Sequence, residues 1–346
     1  MTNKKHDISI SVVKGLLITL MVVGHSGAPE KLTKFIYTFH MPCFFFISGL
    51  LFNDKYLNDV KSFITRKIKG LYVPFVKWSL IFLLLHNVFE ALNLYSTHYT
   101  IHDFKIKIFK IFTLTGSEQL LGGFWFLKEL LYASIITILF IKLITYLGAK
   151  LNRTSLLLSC IFFVAIAYLA SIAPFKIPTI SSKTLLATAY FIAGYTFKEM
   201  NLNVKKPLSI GILGYVVVII VSLFFKADID AKGPAIFTYF FISIIGSIST
   251  IYLSKHICGK TTHIMDFIGK NTLNILIFHF ISFKIVSLGF IMAKGNPFER
   301  LSEFPVLTQS NNFIWILYTI MGVIVPLLIG KGLDMCEHIF KNKQNA

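Results

Sequence analysis

The chain has 346 residues, 55% of them hydrophobic and only 14% charged, with mean hydropathy +0.71. A soluble domain this apolar would expose far too much greasy surface, so the composition predicts a polytopic membrane protein. The formal net charge of +18 does not point to nucleic acid, because the basic residues sit in short loops between apolar spans, where cations set orientation.

The first apolar run covers residues 8–28 and carries Lys14 and His25. Ionisable groups inside a membrane segment are expensive and default to function. Eleven residues separate the two, about 1100° of helical rotation or roughly 20° beyond three turns, so they share a face about 16 Å apart along the axis. Asp7 falls on nearly the same stripe. MTNKKH before this run has the outline of a signal peptide. Lys14 and the lack of an A-x-A site argue instead for a retained helix.

The second run, 34–53, reads KFIYTFHMPCFFFISGLLFN and carries His40. A single membrane histidine commonly does no more than hydrogen-bond a neighbouring helix. With the N-terminus inside, however, His25 and His40 both fall in outer halves joined by a short loop, which predicts that they converge. The following stretch collects Arg66, Lys67 and Lys69 ahead of Pro74, which is expected to kink the start of the 71–92 span. Guanidinium and ammonium groups there can clamp phosphates. A positive-inside loop explains the same residues more simply.

Residues 93–123 form the longest connection and include the amphipathic IHDFKIKIFKIF, suited to an interface or a re-entrant piece. GGFWFLKEL opens the span at 124–146. Its Trp125 suits an interfacial belt. Lys128 and Glu129 point about 100° apart, so only one is expected to face inward. Further spans are predicted at 155–174, 183–198, 207–225, 235–254, 271–293 and 312–333. The ninth begins IGKNTLNILIFH, bringing Asn271, Asn274 and His279 into an apolar setting. Asn271 also fits a helix cap. Lys77, Lys142 and Lys284 lie in or near spans, and snorkelling accounts for the first two.

Ten spans with both termini cytoplasmic place the larger share of Lys and Arg inside, as the positive-inside rule requires. The prediction is an all-α bundle forming one domain over residues 1–346. Cys43, Cys160, Cys258 and Cys336 show no CxxC spacing, so neither a metal site nor a disulfide is expected.

Several of these pieces occur together and in order: Asp7-x6-Lys14-Gly15-x9-His25, IYTFHMPCFFFISG at 36–49, the basic segment into Pro74, FWFLKEL at 124–130 and IGKNTLNILIFH at 268–279. They resemble the acyltransferase family 3 membrane proteins, and more narrowly their fucose 4-O-acetylase-like branch. The likeness covers the N-terminal third well, and between about 145 and 265 only hydropathy matches. Much of the wider family has arginine where this chain has Lys14, and the family's R-x-x-R appears as Arg66 and Lys69. Lysine keeps the cation and loses the bidentate fork.

The resemblance implies transfer of an acyl group, usually acetyl, from cytoplasmic acetyl-CoA to a sugar hydroxyl of a surface polysaccharide or its lipid-linked precursor. It implies a bacterial cytoplasmic membrane location. His25 is then the expected general base, or the carrier in an acyl-histidine route. His40 and Glu129 are expected to orient it. Lys14, Arg66, Lys67 and Lys69 are the expected acyl-CoA contacts, with Trp125, Asn271 and His279 on the acceptor. The expected partners are the sugar acceptor, acyl-CoA and the lipid bilayer, with no metal and no nucleic acid; a homo-oligomer is compatible with the sequence. The competing reading is a multi-span transporter or flippase for a lipid-linked sugar, whose signature would be paired repeats and broken helices; the sequence shows no such symmetry. A third is a non-catalytic partner in a glycan assembly complex, against which His25 argues.

Overall fold

The structure is a computed structural model that describes residues 8–174, 179–201, 205–225, 228–308 and 313–344. Among them every regular element is helical. The first third holds α1 (Ile8–His25), α2 (Glu30–Tyr37), α3 (His40–Leu50), α4 (Lys55–Asn58), α5 (Val60–Lys67), α6 (Val73–Leu84), α7 (His86–Ala91) and α8 (Ile101–Phe112). Then come α9 (Trp125–Tyr146), α10 (Arg153–Ile172), α11 (Ser182–Met200), α12 (Pro207–Phe224) and α13 (Ala235–Ser254). The last three are α14 (Lys260–Lys270), α15 (Thr272–Lys294) and α16 (Ile314–Gln344).

Among the described residues, five helices are long and apolar enough to cross a membrane: α10, α12, α13, α15 and the Ile314–Ile339 part of α16. Ser9–His25 is a shorter apolar helix. The remaining expected spans depart from that standard for physical reasons. The 34–53 run divides into α2 and α3 at Thr38–Phe39, and the 71–92 run divides into α6 and α7 at Leu85. Helix α9 carries Lys128, Glu129 and Lys142, and α11 spends threonines on its buried face. Lipid-facing α12, with 17% of its span buried, is far more exposed than α15, with 67%.

The expected basic loop is helical. Helix α5 runs through a π turn at Ile68–Tyr72 straight into α6. Pro74 has no N–H to offer the carbonyl of Gly70, and the wider π turn precedes it. In the 93–123 connection, α8 starts on a reciprocal Thr100–Asp103 capping box, and it exposes Ile101, Phe109 and Phe112.

The chain divides into two compact units. The first comprises residues 1–29, 78–124 and 259–346. In it α1 packs along α14 and also touches α15 and α16, while α15 packs along α16. A Cβ on Gly15 would overlap the Met265 carbonyl, and one on Gly269 would overlap the Ser11 carbonyl. Each glycine thus lets the other backbone approach closely, as small residues do between membrane helices. The connection before α9 is fastened by His86, whose Nδ1 lies 2.7 Å from Glu118 and whose Nε2 donates to the Thr97 carbonyl at 2.8 Å. Tyr95 and Tyr99 stack on this imidazole.

The second unit comprises residues 30–77 and 125–258. Buried α11 packs against α3, α9, α10 and α13. The same reciprocal glycine arrangement holds α3 to α11, with Gly49 against the Phe191 carbonyl and Gly194 against the Phe46 carbonyl. The α2–α3 break would leave carbonyls unpaired, a cost in an apolar setting. Ser243 of α13 donates to the Thr38 carbonyl at 2.8 Å, and Tyr239 donates to that of Tyr37 at 3.3 Å. Gly246 makes room for Phe39, since a Cβ there would come within 2.5 Å of the Phe39 Cβ.

Candidate functional site

In the first unit His25 ends α1 and His279 is the eighth residue of α15, with ring centroids 5.7 Å apart. Their neighbour Phe280 sits 5.1 Å from His25 and 3.9 Å from His279. His25 is half-buried, while His279 is 0% exposed. Nδ1 of His279 meets the carbonyls of Ile275 at 2.9 Å and Leu276 at 3.1 Å. Carbonyls only accept, so Nδ1 carries the proton. Nε2 is buried and has no hydrogen-bond partner among the described residues. Gly123 lets Leu276 pack close beside this ring: a Cβ there would come within 2.7 Å of Leu276 Cδ1 and 3.7 Å of His279 Cε1.

Lys14 lies on α1, half-buried and about 16 Å before His25 along the helix axis. Asn271, between α14 and α15, turns its amide back to the Phe267 carbonyl at 2.9 Å and accepts from Asn274. Eight residues, about 12 Å of helix, separate it from His279, so the two do not meet on one ligand atom. Asp7 lies outside the described residues.

The segment after α15 caps the histidine pair. Phe304 packs on Phe280 at 4.6 Å, and Val306 lies against Gly27. Lys284, left unexplained by the sequence, holds this cap by donating to the carbonyls of Leu301, at 2.8 Å, and Glu303. Glu303 accepts from Arg300 Nε at 2.7 Å and from the Thr308 amide at 2.6 Å. The Arg300 hydrogen bond, with help from Thr308, pulls the Glu303 carboxyl from 4.5 down to about 2. Because the folded value is the lower one, this pairing stabilises the cap fully above about pH 4.5 and is lost as the pH falls from there through about 2. We expect the Thr308 amide to lose hydrogen-exchange protection over that window, and Glu303→Gln to remove it already at neutral pH. Unchanged Thr308 protection in the variant would contradict this account of the cap.

In the second unit Arg66 and Lys69 line one cavity of about 640 Å³ together with Asp59, Lys61, Ser62, Thr65 and Gly70. Their i,i+3 spacing puts them on one side of the helix. Arg66 Nη1 donates to Tyr56 at 2.7 Å, which steadies the guanidinium. Lys67 does not line this cavity. Its ammonium lies over the rings of Phe63 and Phe191, and burial, with Arg66 adding, lowers its pKa to about 8.

His40 begins α3, where its Nδ1 donates to the Ile36 carbonyl at 2.8 Å and its ring stacks on Tyr37. These contacts sit at the helix break. Of the adjacent pair on α9, Glu129 is the buried one; it accepts from Thr184 at 2.6 Å and lies 3.4 Å from Lys128. Trp125, one turn earlier on α9, has the Lys183 ammonium over its ring at 4.5 Å. The first turn of α11 therefore touches both Trp125 and Glu129.

A family model described as an acyltransferase domain, the acyltransferase family 3 domain, matches residues 7–331. The curated nodulation protein NolL of Mesorhizobium japonicum is 28% identical over 216 residues, which cover 57% of this chain and 49% of NolL. The chain thus spans about half the length of that relative. No solved structure matches.

Proposed function

The chain belongs to acyltransferase family 3, and from that premise we propose that it is a membrane-bound O-acetyltransferase of the bacterial cytoplasmic membrane. It moves an acetyl group from cytoplasmic acetyl-CoA to a hydroxyl of a surface polysaccharide or its lipid-linked precursor. Both termini lie in the cytoplasm in this reading. The observation that carries it is the histidine pair. His25 and His279 face each other at 5.7 Å, at the end of a helix that also carries Lys14.

A hydroxyl is a weak nucleophile until a positioned base removes its proton. His25 takes that proton as the hydroxyl oxygen attacks the thioester carbonyl. The C–O bond forms, the C–S bond breaks, and the imidazolium returns the proton to the departing thiolate. Imidazole is suited to both halves because it titrates near neutrality. On the donor side, the cavity of Arg66 and Lys69 offers a guanidinium fork and an ammonium to CoA phosphates. Lys67, tucked under aromatic rings, contributes charge to that face without lining the cavity. His40 secures the α2–α3 break, and Glu129 secures α9 to α11.

Titrating CoA into purified protein tests the donor half. Charged hydrogen bonds contribute about 1.5–3 kcal/mol each, so changing Arg66 and Lys69 together to Ala is expected to weaken CoA roughly 10- to 100-fold. Unchanged affinity in the double variant would leave the cluster as an orientation signal only. No CoA binding by the unaltered protein would remove the acyl-CoA donor from the reading.

A further inference from the structure

We infer that the acceptor presents two neighbouring hydroxyls, a vicinal diol, one reacting through His25 and the other held on Nε2 of His279. This rests on the acyl-transfer reading above and specifies its substrate class.

The argument starts from one nitrogen. Two backbone carbonyls fix the His279 proton on Nδ1. In the neutral ring, the form that costs least to bury, Nε2 is then a lone-pair acceptor. It is fully buried and no protein donor reaches it among the described residues. A buried acceptor left unmatched is costly, so the group that enters this site must bring an O–H or N–H. The carbonyl of a thioester cannot satisfy it, because a carbonyl accepts and never donates. Of the reacting groups only the acceptor brings hydroxyl donors, so His279 is assigned to the acceptor side; a pantetheine amide N–H of the acyl donor is the competing partner, and equal use of the diol and its deoxy partner would point to it.

The hydroxyl that reacts has one proton, and in the proposed reaction it goes to His25. The partner of His279 must be a second donor. The two rings are 5.7 Å apart and tilted by 30°. Hydrogen bonds of about 2.8 Å from each ring can be met by two oxygens side by side, as on adjacent carbons of a sugar ring. Phe280 and Phe304 offer an apolar wall next to this diol.

The test uses the full-length purified protein, labelled acetyl-CoA and a panel of methyl glycosides with gluco, galacto, manno and fuco configuration. The glycoside that takes up label is compared with its monodeoxy derivatives at each carbon next to the ester. We expect one adjacent deoxygenation to lower kcat/KM roughly 10- to 100-fold, mostly through KM, since a single buried hydrogen bond is lost. In His279→Phe, which removes the orphan nitrogen and keeps an aromatic ring beside Phe280, the diol and its deoxy partner become equivalent. Equal use of both by the unaltered protein overturns the diol, and so does a deoxy penalty that persists in His279→Phe. The comparison on the unaltered protein stands even where that variant does not fold. Failure of the underlying reading looks different: no glycoside takes up label at all, or His25→Ala transfers it as well as the unaltered chain.

Discussion

A His25→Ala protein is expected to insert into the membrane at normal abundance and, on the proposed reaction, to leave the surface glycan without its ester. The loss is large because general-base catalysis contributes roughly 10²–10⁴-fold, and alanine has no group to accept the proton. The fold tolerates the change, since His25 is the last, half-buried residue of α1 and the helix is held further back by its contact with α14. The carbonyl contacts of His279 do not involve His25, so acceptor binding is expected to survive in the variant. The defect is therefore expected in kcat, with acceptor KM nearly unchanged, the pattern of an interaction made only in the transition state. Glycan ester content, compared at matched membrane abundance, is the measurement. Full acylation by a well-inserted His25→Ala chain would remove the histidine from the chemistry.

Much of this was legible in the residues, and the parts that were not have physical causes. Apolar runs gave α10, α12, α13 and α15 to within a few residues, whereas α16 continues to Gln344, eleven residues past the expected end at 333. Hydropathy marks where lipid touches the chain, and helices such as α12 have little else around them. The same signal was weakest for α11 because α11 is buried among other helices and uses Thr184, Thr188 and Thr196 on its inner face. Hydropathy also hid the breaks at Thr38–Phe39 and Leu85, since a broken helix can be as apolar as an intact one. The basic segment read as a loop because its helix is short and strongly charged. Lys14 and His25 stood out as costly ions in an apolar run. The close approach of His279 to His25 did not, because it depends on how α15 packs on α1. A clue was nevertheless present. Gly15-x9-His25 and Gly269-x9-His279 share one spacing. Lys284 gave no hint of its cap, since the carbonyls it holds lie seventeen and nineteen residues further on.

That shared spacing carries the second large effect. Gly15 and Gly269 touch each other's helix backbones, and each chain then runs ten residues to its histidine, within α1 from Gly15 and across the α14–α15 break at Asn271 from Gly269. Both runs leave the glycine contact in the same direction and end side by side at the histidine pair. The contact thus helps to set the height of His25 against His279. A Gly15→Ala chain cannot keep it. The new methyl would overlap the Met265 carbonyl, and backbone yields less readily than a flexible side chain. Forcing a methyl into such a contact costs roughly 1–3 kcal/mol and moves one helix against the other. Misplacement of reacting groups by about 1 Å costs on the order of 10²-fold in rate. Gly15→Ala and Gly269→Ala are therefore each expected to melt earlier and to lose most acyl transfer, though neither residue holds a reacting atom. Gly289, also helical, has open space around it. Gly289→Ala should raise the melting temperature slightly, because alanine is better in a helix by about 0.5–1 kcal/mol. Thermal melting of the purified proteins with glycan ester content separates these outcomes. If Gly15→Ala keeps both its stability and its activity, the glycine contact does not set the register of the histidines.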